Sequence, residues 1–114
     1  MRRIVYIASP YTQGDKPALV KVQINAFHIL MDKGYHPIAP LLAHFLNPRP
    51  YEDWLRYDME TISYCDILIR IREKDNFGVE IPSSGADRET AEALRLGLEY
   101  YEFESLEDLE KNFK

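Results

Sequence analysis

Apolar positions along this chain alternate between two patterns, short near-continuous runs and stripes at helical spacing. The first run, Arg3-Ile-Val-Tyr-Ile-Ala8, is rich in β-branched residues, as a strand buried on both faces requires. Residues 9–15 then form a loop. From Pro17 to Lys33, Leu19, Val22, Ala26, Ile29 and Leu30 recur at helical spacing, with Pro17 in the first turn and Gly34 as the stop. Residues 35–39 predict a short second strand despite Pro37. Residues 41–46 predict a helical turn, closed by Asn47-Pro-Arg-Pro50. A helix follows over Tyr51–Cys65, a third strand over Asp66–Ile71 and a polar loop over Arg72–Pro82. Ser83–Gly97 predicts another helix, Leu98–Phe103 a fourth strand and Ser105–Phe113 a last helix, with Ser105 and Asp108 as a capping pair. Strands alternating with helices imply a parallel sheet with right-handed crossovers. The expected fold is a single α/β domain over residues 1–114, a doubly wound, flavodoxin- or Rossmann-like sheet of four to five strands.

Two carboxylates break this pattern. Asp58 falls in the middle of a helical face formed by Tyr51, Trp54, Leu55, Ile62 and Cys65. Glu89 lies beside Ala86 and Ala93 on a face shared with Thr90 and Leu94, while Arg88, Glu92 and Arg95 point to solvent. A carboxylate facing a core is costly unless it is paired, hydrogen-bonded or lining a cavity. Two such groups therefore predict a shared polar pocket at the carboxyl ends of the strands, where doubly wound sheets bind ligands. Ser83-Ser84-Gly85 precedes the Glu89 helix, either as a plain serine N-cap or as a cradle of hydroxyls and amides for an anion. Asp66 opens a strand and reads as a backbone anchor. Tyr6 is a core tyrosine or a hydroxyl at a strand end that fixes the rotamer of a carboxylate.

Composition narrows the chemistry. A net charge of −5 over 114 residues, with a pI near 5.2, argues against a nucleic-acid polymer as partner, since that needs a basic face. Cys65 is the single cysteine, so it forms no intramolecular disulfide and reads as a small buried hydrophobe. His28, His36 and His44 do not have metal-ligand spacing, and His44, on a short helical turn, reads either as a packing or surface residue or as a ligand contact. Walker, dinucleotide-binding and nucleophile-elbow motifs are all missing. The first residues lack a signal-peptide pattern and no apolar run reaches membrane length, so a cytoplasmic location without membrane association is expected.

Three features in order carry a resemblance: Tyr6-Ile-Ala-Ser-Pro-Tyr11 after the opening arginines, Asp58 ahead of the strand-opening Asp66, and Ser83-x-Gly85-Ala86-x-x-Glu89 running to Gly97. Together they resemble the nucleoside 2-deoxyribosyltransferase-like superfamily, including its small relatives and the 2'-deoxynucleoside 5'-phosphate N-hydrolases. The resemblance spans nearly the whole chain through short motifs. It implies Glu89 as nucleophile, Asp58 as the group that contacts sugar or base and assists proton transfer, and Tyr6 as hydrogen-bond partner of the glutamate. Substrate contacts are expected from Ser9, Ser83, Ser84, Gly85 and His44. A serine at position 83, where an acid suits an unphosphorylated nucleoside, leans toward a 5'-monophosphate. It further implies a homodimer, a small-molecule nucleotide or nucleoside as ligand, and chemistry that requires no metal or organic cofactor. Ser9-Pro10-Tyr11-Thr12 stands where the hydrolases carry a Gly-Ser-x-Arg type loop, and Arg70 interrupts an otherwise apolar strand.

The expected reaction is cleavage of an N-glycosidic bond, with Glu89 attacking the anomeric carbon to give a covalent glycosyl-enzyme. Water then completes hydrolysis, or a second base completes transfer. The helix N-terminal turn is expected to keep Glu89 ionised. Other readings stay open at this level. A phosphoribohydrolase of the lysine-decarboxylase-like family shares the architecture, but its Pro-Gly-Gly-x-Gly-Thr run is missing. A catalytically silent nucleotide sensor would bind without releasing base. A partner-binding domain would use both acids as buried polar staples.

Overall fold

The structure, a computed structural model, describes residues 2–11, 16–46 and 49–114, apart from the side chains of 44–46. In chain order the elements are β1 (Ile4–Ala8), α1 (Lys16–Asp32), β2 (His36–Ile38), α2 (Leu41–Leu46) and α3 (Tyr51–Ile62). They continue with β3 (Ile67–Ile71), α4 (Ser84–Leu96), β4 (Glu99–Phe103) and α5 (Leu106–Asn112). The four strands form one parallel sheet in the order β2-β1-β3-β4, with Val5 opposite Ile67 and Ile67 opposite Glu99.

Period-two alternation divides the two central strands between two layers. Val5, Ile7, Ile67, Ile69 and Ile71 pack against Ala26 and Leu30 of α1 and Leu109 of α5. Tyr6, Ala8 and Leu68 face the other way, onto Ile62 of α3 and Ala86 and Ala93 of α4. Burial on both faces explains why β1 and β3 read as continuous apolar runs. The outer strands differ. Among the described residues β2 bonds only to β1, so an edge position accommodates Pro37, which has no amide to donate. β4 is the other edge and is largely exposed.

Several boundaries follow from named caps. Ser83 accepts a hydrogen bond from the Ala86 amide at 3.1 Å, and α4 ends at Gly97, whose φ of 81° is the left-handed conformation that favours glycine. Ser105 accepts from the Asp108 amide at 3.1 Å and the Asp108 carboxylate accepts from the Glu104 amide at 3.0 Å, which is the expected capping pair. The Asp66 carboxylate accepts from the Ile4 amide at 2.8 Å, tying the foot of β1 to β3 as a backbone anchor. Cys65 is buried in the α3/α4 layer.

Three expectations need correction. α3 stops at Ile62 rather than Cys65, because the amides of Tyr64 and Cys65 turn back onto Thr61 and Ile62 in tight bonds of 3.0 Å that redirect the chain into β3. Tyr51 at the helix start and Leu94 on α4 are exposed, not core. The buried face of α4 is centred on Ala86, Glu89 and Ala93, and Leu94 lies about 100° round from Ala93. The polar loop expected after β3 is present and contains a turn. Its Lys74–Glu80 bridge closes over Asp75, whose carboxylate accepts from the Phe77 and Val79 amides.

Candidate functional site

The strand order reverses between β1 and β3, since the chain leaves β1 toward β2 and returns across it to β3. A crevice opens at such a reversal, outside the carboxyl ends of the strands. Here it is a cleft of about 440 Å³, within the ~300–1,000 Å³ usual for small-molecule sites. Ser9 and Tyr11 reach it from the end of β1, and Lys16 from the start of α1. α3 supplies Tyr51, Trp54, Leu55 and Asp58, while the α4 end supplies Ser83, Gly85, Ala86 and Glu89. Leu41 and Arg49 complete the wall.

The two carboxylates singled out by their faces thus meet in one cavity. Asp58 is 5% exposed and Glu89 is 9% exposed. Tyr6 lies beneath them in β1, fully buried, and its hydroxyl donates to Glu89 Oε2. Burial, reinforced by the negative charges of Glu89 and Asp58, holds the Tyr6 hydroxyl well above its ordinary range, so it stays a phenol and a donor.

Glu89 itself departs from expectation. Burial pushes its carboxyl from 4.5 up to about 8, opposed by the Tyr6 hydrogen bond, aided by the Asp58 charge and opposed again by Arg70. A helix terminus stabilises a charge by only ~0.3–1 kcal/mol and chiefly within its first turn. Glu89 is the sixth residue of α4, past that turn, whereas desolvation of a buried acid reaches several pH units. Desolvation wins, and the cleft holds Glu89 largely protonated at neutral pH.

The serines divide. Ser9 and Ser83 are buried in the cleft wall, but Ser84 is exposed and outside it. The Ser83 hydroxyl is the N-cap, so the plain reading holds for its acceptor side. A Cβ on Gly85 would meet nothing within 4 Å, so this glycine leaves open space in the cleft rather than relieving a clash. His44 lies on α2 and its side chain is outside the described residues.

Sequence reasoning missed two supporting residues. Gln23 of α1, 1% exposed, donates from Nε2 to the Ile7 carbonyl and the Ser9 hydroxyl at 3.0 Å, and accepts from the Leu41 amide at 3.2 Å. It clamps the end of β1 to the start of α2, both at the cleft. Arg70, noticed only as an interruption, is 7% exposed and pairs with Asp87 of α4 at 2.6 Å. Among the described residues no group of three or more His, Cys, Asp or Glu is arranged to hold a metal ion, and no helix is long and apolar enough to cross a membrane.

No family model and no curated protein matches the chain. Among solved structures, it is similar to a 2-deoxyribosyltransferase from the psychrotolerant bacterium Bacillus psychrosaccharolyticus, with a TM-score of 0.69. The match has 21% identity and covers 97% of this chain and 92% of that one. The chain therefore has the α/β fold of the deoxyribosyltransferases.

Proposed function

We propose that the cleft hydrolyses the N-glycosidic bond of a (deoxy)nucleoside 5'-monophosphate, releasing free base and sugar phosphate. One observation carries this reading: Glu89, hydrogen-bonded from below by Tyr6, shares a single cavity with Asp58 at the carboxyl end of the sheet. Apolar and aromatic walls from Leu41, Trp54 and Leu55 suit a base, and Lys16 and Arg49 supply positive charge for a phosphate.

In the proposed reaction a Glu89 carboxylate oxygen bonds to the anomeric carbon as the carbon–nitrogen bond breaks. The bonding pair leaves with the base, which takes a proton from a water that Asp58 holds. The Tyr6 hydroxyl fixes the rotamer of the attacking carboxylate. Water then adds to the anomeric carbon, its proton passing through Asp58 to solvent, and Glu89 departs as the carboxylate, regenerating the site. A second base in place of water gives transfer instead, a reading favoured by the similarity to a deoxyribosyltransferase.

Incubating the protein with ribo- and deoxynucleosides and their 5'-monophosphates, with and without an acceptor base, tests this directly. Chromatography is expected to show free base from at least one monophosphate, faster than from its nucleoside. Intact substrate throughout, with ligand-dependent melting shifts, would favour the silent sensor.

A pH profile follows from the burial of Glu89. Attack needs the carboxylate, and its proton leaves only near pH 8. On the acid side, kcat/KM is expected to rise about tenfold per pH unit and to level near pH 8. A profile already flat from pH 5 to 7 would remove Glu89 as the ionising nucleophile.

A further inference from the structure

Arg70 is the charged residue within an otherwise apolar β3, and alternation turns it toward α4 with Tyr6 and Leu68 rather than toward α1. A buried guanidinium is expensive to desolvate and persists where an anion compensates it. Its ion-pair partner is Asp87, 2.6 Å away on the first turn of α4, but the Asp87 side chain is 67% exposed. Water screens that carboxylate, so it compensates Arg70 only in part. On the buried side of the same helix, two residues along, lies Glu89.

The groups around each partner define the balance. Tyr6 of β1, Asp58 of α3 and Arg70 of β3 act on Glu89. Tyr6 is a neutral donor, Asp58 is a second acid and Arg70 is the cation acting from the sheet, while Lys16 and Arg49 line the same cleft. Around Arg70 stand Asp87 and Glu89 of α4 and Tyr100 and Glu102 of β4. Glu102 is already engaged, since Arg72 pairs with it at 2.7 Å and the Tyr100 hydroxyl donates to it at 2.7 Å. With Glu102 held by Arg72 and Asp87 turned to solvent, Glu89 is the buried carboxyl on the α4 side of Arg70.

We propose that Arg70 is a positioning residue, supplying from beneath α4 the positive field that lets Glu89 ionise in its buried place. It acts on the carboxylate and not on the substrate. The inference rests on the reading of Glu89 as nucleophile only for its catalytic consequence, because a titration of Glu89 reads the coupling of the two charges with or without turnover. A purely structural Arg70 would pin α4 to the sheet through Asp87 and leave the Glu89 proton indifferent.

The test is a direct titration of Glu89 by carbon NMR of protein labelled at the glutamate carboxyls, its resonance identified by loss in Glu89→Gln. R70M and R70Q, two uncharged replacements of different polarity, are compared with R70K, which keeps the charge. In folded R70M or R70Q the midpoint is expected to move up by about one unit, with R70K close to wild type. In the base-release assay the same shift reads as about tenfold lower kcat/KM at pH 7, recovering toward the wild-type plateau above pH 9. An unchanged midpoint in either folded uncharged variant overturns the proposal and leaves the nucleophile reading standing. A shifted midpoint in a protein that releases no base upholds the coupling and removes the nucleophile reading instead.

Discussion

Glu89→Gln is expected to lose base release by at least about a thousandfold while becoming more stable than the wild type above pH 8. The loss follows from replacing a nucleophile by an amide of nearly the same shape. The gain follows from linkage. The carboxyl binds its proton up to about pH 8 in the folded chain, against an ordinary value of 4.5. Between those values the folded state holds a proton that the unfolded state has released, so stability falls as pH rises through this window. Above it the fold carries a buried charge. Glutamine carries none, and its carbonyl still accepts the Tyr6 hydroxyl. The variant should therefore gain ~2–3 kcal/mol at pH 9, with a difference that shrinks toward pH 5. Thermal unfolding at pH 5, 7 and 9 beside the base-release assay reads both effects. Turnover within tenfold of wild type would place the nucleophile elsewhere. A variant no more stable at pH 9 would show that the Glu89 charge is well solvated.

What could be read from the sequence was whatever local spacing encodes. The apolar runs of β1 and β3 and the misplaced acids Asp58 and Glu89 each announce themselves within a few residues, and the cleft unites those acids. The turn after β3 was equally local, because Asp75 with Gly78 three residues on is a turn signal. Other properties depend on which elements end up packed together. The position of Glu89 near a helix start suggested an ionised group, but desolvation depends on Tyr6, Asp58 and the apolar layer closing around it. Arg70 was visible as an anomaly, yet its partner is 17 residues away on another element and appears only when α4 crosses β3.

Gln23 is the strongest case of a role hidden from spacing, and removing it is expected to cost about 3 kcal/mol. Between Val22 and Ile24 it looks like a polar spacer on the flank of a helix. Only the packed fold puts the Ile7 carbonyl, the Ser9 hydroxyl and the Leu41 amide within reach of one side-chain amide. The Leu41 amide opens α2, so it has no partner within its own helix. Gln23→Leu keeps the volume but supplies neither donor nor acceptor. Leaving buried polar groups unsatisfied costs ~1–3 kcal/mol each, partly offset by the added apolar burial. The net loss should lower the melting temperature by on the order of 10–15 °C. Ser9 is a cleft residue, so loosening it should also raise KM for the substrate with a smaller change in kcat. Melting curves and steady-state kinetics on Gln23→Leu separate the two effects. A fall of less than about 3 °C would mean that water replaces the clamp with little loss. A lower melting temperature with unchanged KM would confine Gln23 to holding β1, α1 and α2 together, without a part in shaping the cleft.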